Sequence, residues 1–297
     1  MKIKLFILVT FSLITMYAYS PIKIIEPEYE GDSHKFVALY VSPFKKIYMV
    51  DQISNEIYLI DNEGNILNSS GGYGWQPGLF DKPTGLNSPD GLNIYIADYN
   101  NQRIAYYDQQ LNFLGILPSD QPLQQIFYPL DIAVSKMGKY FILDDENKEI
   151  LVLDRNNQIV DRFGGLDYGK WSLQEPVRMV LTERETLVVL ENDRLLTYSI
   201  YGKPLNINSL PDTLQPQAIS NNQDYFLITC KKGLYFLSRT PNRSHFVELN
   251  QLNNVENSSS AYLTDKMIYL MTQQGKIYIF KISDLINLRE DRNSKNN

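Results

Sequence analysis

A short apolar segment recurs along the chain at a nearly constant interval, and this repeat restricts the possible folds more than any other feature of the sequence. The segment IYIAD at 94–98 is its clearest copy. Successive copies lie about 40 to 50 residues apart, which is the spacing of repeated supersecondary units rather than of independent domains. The six copies end at Asp51, Asp98, Asp144, Glu191, Cys230 and Thr272.

A second apolar segment follows each copy after a short polar turn. These segments are rich in β-branched and aromatic residues and are bounded by Asn, Asp and Gly, a pattern typical of strands and hairpins. Because their hydrophobicity is nearly continuous rather than alternating, we expect both faces of each sheet to be covered. The segments are IYLID (57–61), IAYYD (104–108), ILVLD (150–154), LLTYS (195–199), LYFLS (234–238) and IYIFK (277–281).

Each unit also begins with a further strand, and most units end with a fourth. The fourth strands are NILNSS (65–70), FLGIL (113–117), QIVDRF (158–163) and HFVEL (245–249). Repeats of this length with four short strands are typical of propeller blades arranged around an axis. We therefore predict an all-β fold, a six-bladed β-propeller of four-stranded antiparallel blades.

The last unit lacks a fourth strand, because the chain becomes polar after Ile282. The segment IKIIE at 22–26 resembles a strand but has no unit of its own. We expect this N-terminal strand to join the last blade and close the ring, which removes the weak seam between the first and last blades. The propeller then comprises residues 21–282, and residues 283–297 form a polar, solvated tail.

Residues 1–20 carry two lysines followed by an uncharged, mostly apolar run. This run is shorter than the about 20 residues of a membrane span but suits a secretory signal peptide. Cleavage after Ser20 would place Pro21 at the cut, so an uncleaved anchor remains the alternative. We expect a periplasmic or extracellular protein, with no membrane span once the leader is removed.

Charge and cysteine content exclude two further classes of protein. The chain has a net charge of -6, and loss of the leader removes only basic residues, so the mature protein repels phosphate backbones and nucleic acid is not expected as a partner. Cys230 is the only cysteine, which excludes an intramolecular disulfide. It lies in an apolar strand, and we expect a structural thiol in a monomeric protein stabilised by packing.

Two glycine-rich segments connect successive units and end in proline: GGYGWQPGLFDKP (71–83) and GGLDYGKWSLQEP (164–176). Together with the glycine, the IYIAD strand, the Asn-rich turn and the RI of the third strand, this pattern resembles NHL repeats over residues 36–282. The second unit is the best match and the last three are degenerate. The resemblance implies a six-bladed propeller, a fold that hosts scaffolds, RNA binders, lyases and lactonase-like hydrolases, so it leaves the function open.

The first strand of each unit should line the central channel. Most of the six residues at equivalent positions of these strands are small, as a crowded axis requires, but Asp131 and Arg178 are charged and occupy neighbouring blades. We expect their side chains to approach each other, either as an ion pair that plugs the axis or as a site where Arg178 holds a carboxylate or other anion. The six positions are Ala38, Gly85, Asp131, Arg178, Ala218 and Ser260.

Four aromatic residues, Tyr73, Trp75, Tyr168 and Trp171, lie in the two glycine-rich connections. Aromatic side chains at such places either cover the junctions between blades or form a recognition surface for a peptide or glycan, since Trp and Tyr dominate contact hot spots. Both interpretations remain open from the sequence. We include all four among the candidate ligand-binding residues, together with Asp131 and Arg178.

Metal-dependent chemistry has little support in the sequence. The carboxylates that end the second strands are followed by Asn-rich turns and could hold calcium, but they lie one per blade, so we expect them to stabilise their own turns. Lyases with NHL-like repeats are expected to use several histidines around zinc, whereas this chain has only His34 and His245. We therefore predict no cofactor, with calcium or another divalent cation as the alternative.

Two functions follow from these observations. The first is a non-catalytic, exported binding module for a protein, a peptide or a component of the cell envelope, with no catalytic residue assigned. The alternative is a lactonase-like hydrolase that depends on a divalent cation at the central channel. Asp131 would be its one axial carboxylate, and the neighbouring Arg178 would repel the cation.

Overall fold

The computed structural model shows a six-bladed β-propeller, as the repeat predicts. It describes residues 19–31, 33–117, 128–240, 243–253 and 255–286. Within these residues, six antiparallel sheets of four strands each form the blades, and each blade runs from an innermost first strand to an outermost fourth strand.

The bounds of the strands agree closely with the predicted segments. The first strands are β2 (Phe36–Val41), β6 (Pro83–Asn87), β10 (Pro129–Val134), β14 (Pro176–Leu181), β18 (Pro216–Asn221) and β22 (Ser258–Leu263). The second strands are β3 (Ile47–Asp51), β7 (Asn93–Asp98), β11 (Tyr140–Asp144), β15 (Thr186–Glu191), β19 (Tyr225–Cys230) and β23 (Met267–Thr272). The third strands are β4 (Glu56–Ile60), β8 (Arg103–Asp108), β12 (Glu149–Leu153), β16 (Arg194–Ser199), β20 (Gly233–Ser238) and β24 (Ile277–Lys281).

The outermost strands and the short helices complete the description. The outermost strands are β5 (Ile66–Gly71), β9 (Phe113–Leu117), β13 (Ile159–Phe163), β17 (Pro204–Ser209), β21 (Ser244–Glu248) and, from the N-terminal segment, β1 (Lys23–Ile25). Two 3-10 helices span Leu166–Trp171 and Leu249–Gln251, and one short α-helix, α1, spans Ile282–Ile286.

Successive side chains of a second strand face opposite neighbouring blades, which explains the continuous hydrophobicity. In β7, Ile94 and Ile96 pack into the cluster shared with the first blade, whereas Tyr95 and Ala97 pack into the cluster shared with the third. Side chains alternate across a strand, so a strand covered on both faces is apolar throughout. The core therefore lies between the blades rather than at one centre.

The N-terminal strand closes the ring, which confirms the prediction for residues 22–26. Strand β1 pairs antiparallel with β24 in the last blade, with Lys23 opposite Ile279 and Ile25 opposite Ile277. Ile25 is only 1% exposed and joins an apolar cluster with Phe36 of the first blade and residues of the last. The seam between the two ends of the propeller is therefore packed as tightly as a blade junction.

The C-terminal end differs in part from the expected polar tail. Residues 283–286 belong to α1, in which Leu285 is fully buried and its carbonyl oxygen lies 3.0 Å from Nε2 of His245. Ile282 and Leu285 are three residues apart, so they share the face of the helix turned to the last two blades. Residues 287–297 lie outside the described residues.

Most of the predicted leader, residues 1–18, also lies outside the described residues. Tyr19 is described, and it forms a parallel bridge with Leu252. Among the described residues, no helix has both the length and the hydrophobicity that crossing a membrane requires.

Candidate functional site

The first strands of all six blades enclose a cavity of about 370 Å³ on the propeller axis. We call the end at Asp131 and Arg178 its base, and the end at the turns between first and second strands, near Ser88, Lys136 and Glu183, its mouth. Each first strand carries a bulge after its initial residue, which redirects the side chain two positions on. The predicted channel positions all line the cavity: Ala38, Gly85, Asp131, Arg178, Ala218 and Ser260.

Asp131 is 6% exposed, and backbone N–H groups hold its carboxylate. Oδ2 accepts a hydrogen bond from the N–H of Met179 at 2.9 Å, and Oδ1 accepts one from its own neighbour Ile132 at 2.9 Å. Burial raises the pKa of Asp131 to about 6, whereas Arg178 and the two N–H donors favour the ionised form. The carboxylate thus connects the third blade to the fourth.

Arg178 reaches across the axis from the fourth blade to the second. Its Nη1 donates to the carbonyl oxygen of Val177 at 2.9 Å, and its Nη2 donates to that of Thr84 at 3.4 Å. Burial lowers the pKa of the guanidinium, and the negative charge of Asp131 opposes this shift. The two side chains are therefore close enough for their charges to interact, as expected.

The direct ion pair that would plug the axis does not form, however. The ion pairs found among the described residues do not include one between Asp131 and Arg178. Arg178 is instead directed at backbone carbonyl groups, while the oxygens of Asp131 accept backbone N–H groups.

The aromatic residues of the two connections differ in their exposure to solvent. Tyr168 and Trp171 are half-buried and pack against the apolar cluster between the third and fourth blades, as expected of side chains that cover a junction. Tyr73 and Trp75 are 74% and 73% exposed. None of the four lines the cavity, so they do not form one surface with Asp131 and Arg178. Their part in ligand binding remains a prediction.

The carboxylates that end the second strands are fully or almost fully buried and stabilise turns, as predicted. Asp98 accepts hydrogen bonds from the N–H of Asp81 at 2.8 Å, Nδ2 of Asn101 at 2.8 Å and Nε of Arg103 at 2.9 Å. Glu191 similarly accepts one from Nε of Arg194 at 2.6 Å. Asp98 and Glu191 therefore connect their turns to the chain that enters their blades, while Asp144 accepts hydrogen bonds from its own turn.

We did not predict the roles of Arg103 and Arg194 from the sequence. Arg103 donates to the carbonyl oxygens of Trp75 and Leu79, each at 2.8 Å, and Arg194 donates to that of Ser172 at 2.9 Å. Both arginines thereby hold a glycine-rich connection against the third strand of its blade. The signal was available in the sequence, because both arginines begin third strands that follow the two matching connections.

Neither histidine lines the cavity. Nδ1 of His34 lies 2.6 Å from Oδ2 of Asp51 on the first blade, and His245 contacts α1. Cys230 is fully buried, and burial raises the pKa of its thiol to about 12, as expected of a structural thiol. In the part of the chain that the structure describes, no group of three or more His, Cys, Asp and Glu side chains could hold a metal ion.

These features define a six-bladed β-propeller with an axial cavity within the size range of ligand sites, roughly 300 to 1,000 Å³. No protein-family model matches the chain, and no curated protein is similar to it in sequence.

Solved structures do resemble the propeller. An inactive variant of virginiamycin B lyase from Staphylococcus aureus with quinupristin is 14% identical, with a TM-score of 0.61 over 88% of this chain and 99% of that chain. A streptogramin B lyase is also 14% identical, with a TM-score of 0.61 over 88% of this chain and 87% of that chain. The extracellular domain of a hybrid two component system from B. thetaiotaomicron is 12% identical, with a TM-score of 0.57 over 83% of this chain and 34% of that chain. At these identities the likeness shows the fold alone.

Proposed function

We propose that this protein is a non-catalytic, exported binding module that receives part of a protein, a peptide or an envelope component in its axial cavity. The observation that carries the proposal is the composition of the cavity. Its base presents a guanidinium from Arg178, and the described residues that line it include neither histidine nor the cysteine. Such a site has donors for recognition, whereas its serines, Ser88, Ser220 and Ser260, have no histidine among the described lining residues to activate them.

Hydrolysis assisted by a divalent cation has less support. Asp131 is the one carboxylate at the base, and each of its two oxygens accepts a backbone N–H group, which leaves fewer lone pairs for a cation. The adjacent charge of Arg178 opposes the approach of a cation. Two of the similar structures are named as lyases, yet both histidines of this chain lie outside the cavity, so the shared fold does not bring a lyase site with it.

A site-specific crosslinking experiment tests where the partner binds. A photoreactive amino acid replaces Glu183, which is exposed at the mouth, or Val160, which is 53% exposed on the outermost strand of the third blade and serves as the control. We expect a defined adduct with an envelope component from the mouth position only. Equal adducts from both positions, or none from the mouth, contradict binding at the cavity.

A turnover assay tests the absence of catalysis. The purified protein is incubated with lactones and esters in the presence of calcium, magnesium or zinc, beside the variant Asp131→Asn. We expect no turnover above the rate without protein. Turnover that requires a metal and disappears in Asp131→Asn would establish the hydrolase instead.

A further inference from the structure

Arg178 has hydrogen-bonding capacity that the protein does not use. A guanidinium carries five N–H donors, and among the described residues Arg178 makes two contacts, to the carbonyl oxygens of Val177 and Thr84. Arg178 is half-buried at the base of the cavity. The charge of Asp131 acts on it, but no carboxylate of the described residues lies within ion-pair distance of it. Its unused donors therefore favour an anion brought by a ligand.

The charge next to Arg178 restricts the kind of anion. Asp131 contributes a negative charge, but its oxygens accept backbone N–H groups, and no hydrogen bond joins it to Arg178 in the described part of the chain. Its charge repels a dianion such as phosphate more strongly than a monoanion. A planar group with two oxygens also matches the fork of a guanidinium. A guanidinium fork also matches phosphate, so it is the charge of Asp131 that favours a singly charged group such as a carboxylate.

The wall of the cavity indicates the rest of the ligand. Leu86, Val180 and Leu181 are half-buried where they line it, so each presents apolar surface to the interior. Small and apolar side chains, including Ala218 and Ile219, lie beside them. Contact with the apolar part of the wall is favourable for apolar groups and unfavourable for charged ones. Other parts of the wall are polar and are formed by Asn87, Ser220, Asn221 and Ser260.

The mouth opposes additional negative charge on the ligand. Glu183 and Glu185 lie there beside a single cation, Lys136. A ligand with a second carboxylate at its outer end would face two negative charges against one positive charge. The charges at the mouth therefore favour a monoanion, as the charge of Asp131 does at the base.

We propose that the cavity binds a monocarboxylate with an apolar body, whose carboxylate pairs with Arg178 at the base and whose body contacts Leu86, Val180 and Leu181. The same chemistry is available from a free organic acid or from the C-terminal carboxylate of a peptide that ends in an apolar residue. This inference rests on the proposed function, since it identifies the ligand of the same cavity.

Binding of matched small probes to the unmodified protein provides the first test, measured by calorimetry. Hexanoate carries the carboxylate, hexanamide is its neutral isostere and adipate adds a second carboxylate. We expect hexanoate to bind at least about 10-fold more tightly than hexanamide, because hydrogen bonds to a charged partner are the stronger ones. Adipate should bind more weakly than hexanoate, and inorganic phosphate should not compete.

Two arginine variants then locate the site. Arg178→Gln should lose the preference for hexanoate over hexanamide, whereas Arg155→Gln, which alters an exposed arginine, should retain it. Circular dichroism checks that both variants fold. If Arg178→Gln does not fold, the relative affinities of the unmodified protein for hexanoate and hexanamide still test whether the cavity prefers a carboxylate.

Peptides distinguish the two sources of the carboxylate. A tripeptide with a C-terminal leucine is compared with its C-terminal amide and with hexanoate. Tighter binding of the free-acid peptide than of hexanoate identifies a chain terminus, and the reverse identifies a small acid. Equal affinity for acids and amides, or an unchanged preference in Arg178→Gln, overturns the proposal. If crosslinking from Glu183 still succeeds in that event, the binding module stands and only the carboxylate is wrong.

Discussion

At the base of the cavity, Asp131 lies so close to Gly85 that no side chain fits at position 85. A Cβ added at Gly85 would lie 2.5 Å from Oδ1 and 2.7 Å from Cα of Asp131, and 2.8 Å from the carbonyl oxygen of Leu130. Two of these atoms belong to the backbone and cannot rotate away. Glycine is therefore required here by the close approach of the second and third blades, and not by its backbone angles.

We expect Gly85→Ala to destabilise the protein by about 1 to 3 kcal/mol, the usual range for overpacking. Gly165→Ala is the matched control, because a Cβ there meets only side-chain atoms of Glu149, the nearest at 3.5 Å. Urea denaturation of both variants measures the difference. Equal stability of the two variants would show that the neighbouring blades move apart at little cost.

The raised pKa of Asp131 predicts how stability depends on pH. Below about pH 3 Asp131 is protonated in both folded and unfolded protein, so its contribution is complete there. As the pH rises towards 6, the unfolded chain releases this proton first, and the folded state loses stability. We expect the wild type to lose about 2 kcal/mol relative to Asp131→Asn between pH 4 and 6.

Thermal unfolding of both proteins across this pH range measures that difference. The control is the range above pH 7, where Asp131 is ionised in both states and the difference between the proteins should be constant. Parallel curves from pH 4 upwards would show that the pKa of Asp131 is not raised in the folded protein.

At the scale of elements, the glycine-rich connections are held by charged side chains rather than by their own sequence. Arg103 fixes residues 75–79 through their carbonyl groups, and Asp98 holds Arg103 in turn.

The outermost strands have a different feature, a bulge that interrupts pairing at the edge of the blade and leaves an apolar side chain exposed. The bulged residues of the first four blades are Leu67, Leu114, Val160 and Leu205.

Arg103→Met should destabilise the protein by about 3 to 5 kcal/mol, because it leaves the buried carboxylate of Asp98 without its cation. The control Arg162→Met breaks an ion pair with Glu149 in which the arginine side chain is 46% exposed, and it should cost about 0 to 1 kcal/mol. Chemical denaturation measures both changes. Limited proteolysis should also cleave the connection at 71–83 faster in Arg103→Met alone.

At the scale of the whole molecule, the contact between β1 and β24 makes the ring continuous. The two faces of β1 differ, because Ile25 is 1% exposed and Ile24 is 39% exposed. The closure therefore depends on one buried side chain together with the three residue pairs of the ladder.

Ile25→Ala should destabilise the whole propeller by about 2 to 5 kcal/mol, the usual cost of such a truncation in a core. Ile24→Ala, in the same strand, should change the free energy of unfolding by less than about 1 kcal/mol. Unfolding followed by circular dichroism gives both values. Similar values for the two variants would mean that the N-terminal strand does not carry the closure.

Much of the architecture could be predicted from the sequence because every blade repeats the same local pattern. The second and third strands and the six channel positions follow from the interval between copies of one segment. The closure by residues 22–26 follows from the missing fourth strand of the last unit and the unassigned strand before the first. The burial of Leu285 was not predictable in this way, since α1 has no counterpart in the other blades.

The candidate site could likewise be predicted only in part from the sequence. The sequence by itself determined that Asp131 and Arg178 share the axis, because equivalent positions of a repeat occupy equivalent places around a ring. Only the tertiary structure decided that they form no ion pair, that Arg178 keeps free donors in a cavity partly lined by Leu86, Val180 and Leu181, and that Tyr73 and Trp75 lie apart from the cavity. Those outcomes depend on which backbone groups lie within about 3 Å of each side chain, and the blades bring such groups together from distant parts of the chain.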